Sequence, residues 1–259
     1  MSHLKNISKT RDFWDQLAKY DSTASVIDPN DKKGYKNLYI RSLITKILFD
    51  TLDNIPMNSM VLDFGCGTGQ NFPTMEALSL NTIGLDISHS LLLQAKNNWR
   101  QTSATCIQYD GIHIPLREES IWSTITYVVL NYLIDDQEMT RCLTEVNRVM
   151  KPNGIFIAIE QTTRKHRTNY NEMKCQRTQE EFIDLFNKSG FTCISRRSVR
   201  RGHFPLIYAI RYGLIPKKFF PFCAFLESLI GKILPTPLFD YADTVFILKK
   251  DNMLPHNRS

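Results

Sequence analysis

The stretch from Met60 to Asn71 constrains this chain more than any other part of it. Three apolar residues lead into Asp63, and glycines follow at positions 65, 67 and 69. A short apolar run is typical of a buried strand, and closely spaced glycines let the backbone turn sharply and approach a ligand without a Cβ in the way. The stretch therefore predicts a strand followed by a nucleotide-binding loop, whose amides offer hydrogen-bond donors to a ribose or a charged tail.

The glycine spacing excludes two common nucleotide sites. A dinucleotide fingerprint, Gly-x-Gly-x-x-Gly, needs a glycine where this chain has Gln70. A phosphate-binding P-loop needs Gly-Lys-Ser or Gly-Lys-Thr, and no lysine occurs between residues 47 and 95. An ordinary glycine-rich turn between a strand and a helix in some other α/β protein is the alternative at this point.

Two stretches in the correct order carry a family resemblance. Asp63-x-Gly65-x-Gly67-x-Gly69 resembles motif I of the class I S-adenosylmethionine-dependent methyltransferases, and Leu143–Gly154 is similar to that family's Leu-x-Glu-x-x-Arg-Val-Leu-Lys-Pro-Gly-Gly stretch. The resemblance covers about residues 10–195. It implies a Rossmann-like α/β fold with a doubly wound seven-stranded sheet, and S-adenosyl-L-methionine as cofactor. Its cofactor-binding residues in the loop are Asp63, Phe64, Gly65, Cys66, Gly67 and Gly69.

Acids follow the next two predicted strands. Asp86 ends the second strand, where a carboxylate can accept hydrogen bonds from both ribose hydroxyls; its alternative role is to cap the next helix. Residues 109–116 resemble the family's adenine site. That resemblance implies that Asp110 accepts a hydrogen bond from the exocyclic amine of adenine and that Gly111 and Ile112 lie beside the adenine ring. A plain Asp-Gly turn is the alternative.

Two further residues are assigned to the cofactor site by their place at strand ends. Ile87 follows Asp86, and Asn131 follows a predicted fourth strand over residues 122–130. In doubly wound sheets, ligands bind beyond the carboxyl ends of the strands. We therefore expect Asn131 and Tyr132, at the end of the fourth strand, to line the cleft opposite the glycine loop; many relatives carry Gln-His there, which leaves the role of Asn131 open.

The N-terminal residues predict two amphipathic helices. Phe13, Trp14, Leu17 and Tyr20 recur at helical spacing, and a second helix is predicted over residues 35–52. The block resembles the N-terminal helical lid of small-molecule methyltransferases, which implies that Tyr20 and Tyr35 contact the cofactor; simple packing is the alternative. By the same resemblance Lys36 is a candidate partner for the methionine carboxylate, with a solvated lysine as the alternative.

Length and composition predict a single domain in a reducing compartment. The 259 residues suffice for one α/β core, divided into lid helices (1–55), cofactor-binding core (56–195), basic aromatic insert (196–239) and last strand with tail (240–259). The six cysteines form no Cys-x-x-Cys pair, which indicates free thiols and no metal site. With no signal peptide in view, we expect a cytoplasmic protein, or one that contacts a membrane peripherally.

The insert between the last two predicted strands is strongly basic and aromatic. Residues 196–239 hold eight arginines and lysines against one acid, Glu227, while the whole chain carries +6. Basic charge interleaved with aromatic residues is typical of a membrane-surface patch or of a site for an anionic, partly apolar substrate. A helical cap with a solvated basic rim is the structural alternative.

Four residues are candidates for a general base. His166 lies in the polar stretch 161–177, for which we expect a loop with little fixed structure, and His203 lies at the mouth of the insert. Glu160 and His113 are weaker candidates. A hydroxyl acceptor benefits from a base within about 3 Å, whereas a neutral amine needs none, so His166 and His203 are the predicted catalytic residues if a base is used.

The sequence therefore predicts a methyltransferase that acts on O or N of a small-molecule acceptor. A sugar, a lipid-linked or anionic intermediate and a secondary metabolite are the candidate acceptors, with oligomeric state open. Nucleic acid is not expected, because no Asn-Pro-Pro-Tyr or Pro-Cys motif follows the fourth strand. A catalytically silent S-adenosylmethionine-binding subunit and a nicotinamide-dependent oxidoreductase are the alternatives.

Overall fold

A computed structural model describes residues 2–19, 28, 30–169, 173–233 and 241–251; Tyr20 lies outside these ranges. The helices are α1 (Ser2–Leu17), α2 (Tyr35–Leu52), α3 (Phe72–Ala77), α4 (His89–Asn98), α5 (Asp136–Val149), α6 (Gln179–Lys188), α7 (Pro205–Arg211) and α8 (Phe220–Ile233). The strands are β1 (Met60–Phe64), β2 (Asn81–Asp86), β3 (Thr105–Gln108), β4 (Ile121–Tyr127), β5 (Met150–Thr162), β6 (Arg167–Asn169), β7 (Lys174–Gln176), β8 (Phe191–Arg201) and β9 (Ala242–Lys250).

Seven strands form one mixed sheet in the order β3-β2-β1-β4-β5-β9-β8. The first five are parallel, and β9 runs antiparallel between β5 and β8. The order reverses between β1 and β4, which is where doubly wound sheets open a ligand cleft. The predicted fold class, a Rossmann-like doubly wound seven-stranded sheet, is confirmed.

Helices cover both faces of the sheet, as its parallel part requires. Successive residues of one strand point to opposite faces, so Leu62 lies in the cluster covered by α5 and α6 while Val61 lies in the cluster covered by α2, α7 and α8. The strands bury apolar side chains on both sides. The carboxyl ends of β1, β2 and β4 therefore remain the open edge at which a site can form.

The polar stretch 161–177 is more ordered than the sequence predicts. β5 continues to Thr162, and β6 pairs antiparallel with β7 as a small two-stranded sheet. Asn131 ties the stretch to the core, since its Nδ2 donates to the carbonyls of Gln161 and Cys175, each at 2.9 Å. The local polarity of this stretch predicted a loop. The hydrogen bonds that order it join segments far apart in the chain, so the local sequence gives no sign of them.

The insert forms a packed helical cap. β8 continues to Arg201, and after it α7, a 3₁₀ turn over Lys217–Phe219 and α8 cover the sheet beside α2. Buried Glu227 fixes α8, because its Oε2 accepts from the Tyr39 hydroxyl at 3.0 Å and its Oε1 accepts from the Arg201 amide. Among the helices that the structure describes, none has both the length and the apolar character to cross a bilayer.

Candidate active site

A cavity of about 350 Å³ opens at the carboxyl ends of the parallel strands, between the sheet and α1. Apolar and aromatic side chains line most of it, with a few polar groups among them. This composition is typical of a small-molecule site. The described residues that line it are Ile7, Thr10, Phe13, Trp14, Leu17, Asp28, Asn30, Gly65, Gly67, Asp86, Ile87, Leu91, Tyr109, Gly111, Tyr127, Val128, Val129, Tyr132, Leu133, Glu138, Gln161 and Lys174.

The glycine loop forms the floor of the cavity. Gly65 has φ +72°, and a Cβ there would lie 2.3 Å from a Val129 methyl, so only glycine fits at this point. The amides of Gly65 and Cys66 both donate to the Leu85 carbonyl, which fixes the loop to the end of β2. The amide of Gly67 donates to Asp86 Oδ2 at 2.8 Å.

Asp86 is the buried acid at the glycine loop; Glu138, which is also buried, and Asp28 line the cavity as well. While Oδ2 accepts from Gly67, Oδ1 accepts from the Ser88 amide at 2.9 Å. Burial raises the pKa of Asp86 to about 6, against the lowering effect of these amide hydrogen bonds. Because carboxylate oxygens have more than one acceptor position each, Asp86 retains capacity for ligand hydroxyls.

The helix α1 closes the cavity as a lid. Asp15 Oδ1 accepts from the Ser88 hydroxyl at 2.6 Å and from the Ser90 amide at 3.1 Å, which pins α1 to the start of α4. The Trp14 ring packs edge-on against Tyr132 with centroids 5.1 Å apart. The lid thus contacts both walls of the cleft.

A lysine lies at the other end of the cavity. Lys174 Nζ donates to Gln161 Oε1 at 2.7 Å and lies 5.5 Å from the Tyr132 ring centroid. Burial lowers the pKa of Lys174. Gln161 is itself held by Asn131, whose Oδ1 accepts from the Gln161 amide at 2.8 Å. The cavity therefore has an acidic group at the loop and a basic group opposite it.

The backbone after β4 is strained where it meets the cavity. Val128 has φ +54°, a conformation that a β-branched residue rarely adopts. Buried Glu160 stabilises this turn, because its carboxylate accepts from the amides of Val129, Leu130 and Asn131 at 3.1–3.3 Å. Burial raises the pKa of Glu160 to about 7. Strain of this kind is common at functional sites.

The structure brings together Gly65, Gly67, Asp86, Ile87 and Gly111 of the predicted cofactor residues. Other loop residues lie behind them. Buried Asp63 accepts from Asn71 Nδ2 at 2.9 Å, burial raises its pKa to about 6, and its second oxygen has no partner within the described residues. Phe64, Cys66 and Gly69 pack in the core beneath the loop.

Four further residues of the prediction lie outside the cavity lining. Asp110 is exposed and its Oδ1 accepts from the amides of Ile112 and His113, as in a plain turn. Ile112 lies in that turn, and Asn131 holds β5 and β7 together. Tyr35 packs against Gly213 of the insert.

Neither predicted catalytic histidine lies among the described residues of the cavity wall. His166 Nδ1 lies 3.1 Å from Glu181 Oε1 and its Nε2 lies 3.2 Å from Cys175 Sγ. His203 Nδ1 lies 2.8 Å from the Tyr208 hydroxyl on the insert. Both side chains make local contacts on the surface.

The sequence analysis did not identify Asp15 or Lys174 as residues of the site, and it did not identify Asp28 as the partner of Lys36. Asp15 and Lys174 join the site through contacts with residues far away in the chain, for which the sequence carries no local signal. Lys36 Nζ binds Asp28 Oδ2 at 2.6 Å. Since Asp28 lines the cavity, Lys36 acts on the site through this carboxylate.

Comparison with known proteins gives a consistent picture. A family model described as a methyltransferase domain matches residues 62–158. The chain is 32% identical over 149 residues to an uncharacterized protein of Methanocaldococcus jannaschii, covering 57% of this chain and 49% of that protein. It is 31% identical over 110 residues to a tRNA (carboxymethyluridine(34)-5-O)-methyltransferase of Arabidopsis thaliana, covering 41% of this chain and 25% of that enzyme. The match to this chain thus spans about half of the length of the first relative and about a quarter of the length of the second.

Among solved structures, the fold is similar to that of a geranyl diphosphate C-methyltransferase from Streptomyces coelicolor. That protein was crystallised with Mg²⁺, geranyl diphosphate and S-adenosyl-L-homocysteine. The TM-score is 0.67 at 12% identity, over 95% of this chain and 98% of the other. At this identity the similarity concerns the fold.

The glycine loop generates a first prediction. We expect Gly65→Ala to lower the free energy of unfolding by about 2–5 kcal/mol, because the left-handed conformation costs about 1–2 kcal/mol and the contact with Val129 adds an overpacking cost. Gly34→Ala is the matched control, since Gly34 has the same φ of +72° and nothing within 4 Å of its Cβ position. Urea denaturation measures both; equal losses would contradict the close packing at Gly65.

The buried Glu160 generates a second prediction, on pH. Its folded-state pKa is raised from 4.5 to about 7, so its stabilising contribution is fully present below about pH 4.5 and is lost as the pH rises through 7. We expect this group to lower the free energy of unfolding by about 3 kcal/mol across that window. In Glu160→Gln the free energy of unfolding should fall less steeply between pH 5 and 7 than in the original protein, as measured by urea denaturation at several pH values.

Glu145→Gln is the control for this pH dependence. The hydrogen bond from Arg148 lowers the pKa of Glu145, so its contribution is present above 4.5 and is lost only as the pH falls through the lower folded value. Its removal should leave the slope between pH 5 and 7 unchanged. An unchanged slope in Glu160→Gln as well would show that Glu160 does not titrate in the folded protein within this window.

Proposed function

The chain belongs to the class I S-adenosylmethionine-dependent methyltransferases, and from this premise we propose that it transfers the methyl group of S-adenosylmethionine to a small-molecule acceptor with an anionic group. One observation carries the proposal. One cavity is lined both by the buried carboxylate of Asp86, at the end of β2, and by Lys174, which contacts Gln161 of β5; β1 and β4 lie between these two strands in the sheet.

The residues at the loop end fit the cofactor. Gly65 and Gly67 leave the floor free of side chains, and Asp86 supplies a buried acceptor suited to paired hydroxyls. Gly111 lies under Ile7 of α1, since a Cβ there would be 2.7 Å from an Ile7 methyl. Such a narrow, partly apolar space between lid and sheet suits a flat aromatic base.

Within this site we assign the ribose to Asp86, the base to the space between Gly111 and Ile87, and the amino-acid end to the Gly65–Gly67 side. Bound S-adenosylmethionine supplies a methyl group already activated on a sulfonium sulfur. The protein's task is then mainly to hold the acceptor in line with it, and positioning can contribute roughly 7–11 kcal/mol. The Trp14 and Tyr132 rings pack against each other at the edge of this cleft.

Lys174 supports an anionic acceptor. Its ammonium group contacts Gln161 Oε1 and the Tyr132 ring, and the desolvation that lowers its pKa is offset by the opposite charge when a carboxylate or phosphate binds beside it. A carboxylate acceptor is ionised at neutral pH, so it can be methylated without a general base. The proposal therefore does not use His166 or His203.

A transfer RNA acceptor is the second candidate. The Arabidopsis relative is named for methylation of a carboxymethyl group on tRNA, which is also a carboxylate chemistry. A lysine at the cavity end suits a carboxylate on either kind of molecule. The +6 charge of the chain is compatible with both.

The cofactor half of the proposal predicts the effect of changing Asp86. In Asp86→Asn, an NH₂ group replaces one acceptor oxygen beside the amides of Gly67 and Ser88, so we expect the Kd for S-adenosylmethionine to rise about 10- to 100-fold. Isothermal titration calorimetry measures this, with reduced nicotinamide dinucleotide as the competing cofactor. Tighter binding of the nicotinamide would refute the methyltransferase proposal.

Asp50→Asn is the matched control for Asp86. Asp50 is an exposed acid on α2 that pairs with Lys46 and is not among the described residues that line the cavity, so its change should leave the Kd within about twofold. Thermal unfolding of both variants shows whether they fold. A folded Asp86→Asn with unaltered affinity would place the cofactor elsewhere.

The acceptor half predicts the effect of changing Lys174. With tritiated S-adenosylmethionine and the small-molecule fraction of a cell extract, we expect label in anionic compounds, and Lys174→Met should lower kcat/KM about 10- to 100-fold while the Kd for the cofactor stays unchanged. Lys174→Arg keeps the charge and should retain part of the activity.

A parallel assay uses total tRNA in place of the small molecules. Label in tRNA alone would replace the small-molecule proposal with the second candidate. Label in neither, from a protein that binds the cofactor, would indicate a catalytically silent subunit. Label in neutral compounds that is insensitive to Lys174→Met would remove the anionic acceptor.

A further inference from the structure

The insert exposes several large apolar side chains that lie close together in the sequence. Leu214 is 74% exposed, Phe225 is 61% exposed and Phe222 is 58% exposed. We call this set the outer face of the insert; it consists of Tyr212, Leu214, Phe219, Phe222, Phe225 and Leu229. Soluble proteins rarely expose contiguous apolar patches without a function.

The helix α8 is apolar on both sides. Phe220, Cys223 and Glu227 are buried at i, i+3 and i+7, which is the side that packs on the protein. Phe222, Phe225 and Leu229 follow the same spacing on the exposed side. An ordinary surface helix carries polar residues there, so the outer face of α8 is not explained by folding.

The outer face is held on a fixed support. The Tyr39 hydroxyl donates to buried Glu227, and the Phe220 ring packs against Tyr39 with centroids 5.3 Å apart. Lys33 Nζ donates to the Tyr212 carbonyl at 3.3 Å. These contacts keep the buried side of α8 on the core, so the outer side stays presented to its surroundings.

Positive charge lies beside the outer face, and residues 202–229 themselves contribute no exposed negative charge to it. Lys217 and Lys218 are exposed on the 3₁₀ turn that precedes α8, with Lys218 Nζ 5.3 Å from the Phe219 ring centroid. Glu227 is the one acid within residues 202–229, and it is buried. The rim of the face therefore complements a negatively charged surface.

We propose that the outer face of the insert binds the surface of membranes that contain anionic lipids. Phenylalanine and leucine side chains enter the boundary between headgroups and acyl chains, while Lys217 and Lys218 contact anionic headgroups. A second copy of the chain offers the same basic rim and no exposed acid within 202–229, so charge complementarity favours the lipid surface.

The insert also reaches the rim of the cavity. Arg211 of α7 donates to the Asn30 carbonyl, and Asn30 lines the cavity. Docking on a membrane would thus hold the cavity rim close to the lipid surface. This inference does not depend on the proposed acceptor.

Co-sedimentation with vesicles tests the proposal on the full chain. Vesicles of phosphatidylcholine with phosphatidylglycerol should retain the protein at low salt, and vesicles of phosphatidylcholine alone should retain much less. Each lysine near an anionic surface contributes about fivefold to partitioning, so Lys217→Glu with Lys218→Glu should lower it at least tenfold. Phe222→Ser with Phe225→Ser should lower it at least as much.

Matched control variants distinguish binding by the outer face from non-specific effects of net charge and of exposed apolar side chains. Arg141→Glu with Lys188→Glu makes the same charge change on α5 and α6, which cover the other face of the sheet. Leu93→Ser with Ile194→Ser removes two exposed apolar side chains elsewhere. Both double variants should keep vesicle binding within about twofold of the original protein; thermal unfolding verifies that all variants fold.

Three outcomes would overturn the proposal. One is no retention by anionic vesicles at low salt. Another is an equal loss of binding in the control variants. The third is concentration-dependent self-association that Phe222→Ser with Phe225→Ser abolishes while vesicles retain nothing, which would make the outer face an interface between two copies.

Discussion

The hydrogen bonds of the Asp86 carboxylate hold the glycine-loop side of the cavity together. One oxygen accepts from Gly67 of the glycine loop and the other from Ser88 at the start of α4. The Ser88 hydroxyl in turn donates to Asp15 of the lid. Loop, helix and lid therefore depend on one buried acid. Burial of that acid is unfavourable, as its raised pKa of about 6 shows, which is consistent with a residue retained for binding rather than for stability.

Glu160 plays the corresponding part on the other wall. Its carboxylate accepts hydrogen bonds from the three backbone amides that follow Val128. These bonds stabilise the turn in which Val128, a β-branched residue, has φ +54°. That turn presses Val129 against Gly65 and presents Tyr132 to Trp14. Two buried acids at the ends of β2 and β5 thus shape opposite walls of one cleft. Since burial raises the pKa of both, loss of their protons acts against stability between about pH 4 and 7.

Much of this fold could be predicted because its signals are local. The apolar run before Asp63 and the glycine spacing predicted a strand followed by a turn, and the family resemblance of motif I and the Leu143–Gly154 stretch implied the seven-stranded class, which the structure confirms. Other features could not be predicted. Asn131 donates a hydrogen bond to Cys175 of β7, and Lys174 donates one to Gln161 of β5. Both contacts join segments that are far apart in the chain. For Asp110 the sequence left two roles open, and the hydrogen bonds from the Ile112 and His113 amides correspond to the plain Asp-Gly turn.

The basic insert shows why a count of charges predicts function poorly. Arg200 and Asp243 form a buried ion pair at 2.7 Å, and Arg196 pairs with Glu180 at 3.2 Å, so these arginines are occupied within the fold. Desolvation makes a buried pair costly to break, and its charge is largely neutralised for an approaching ligand. Lys217 and Lys218 differ from these arginines, because they are exposed on the 3₁₀ turn before α8, beside the exposed aromatic rings. A few lysines alone bind an anionic surface only weakly, so in the proposed membrane contact the apolar side chains of the outer face have to supply the rest of the affinity.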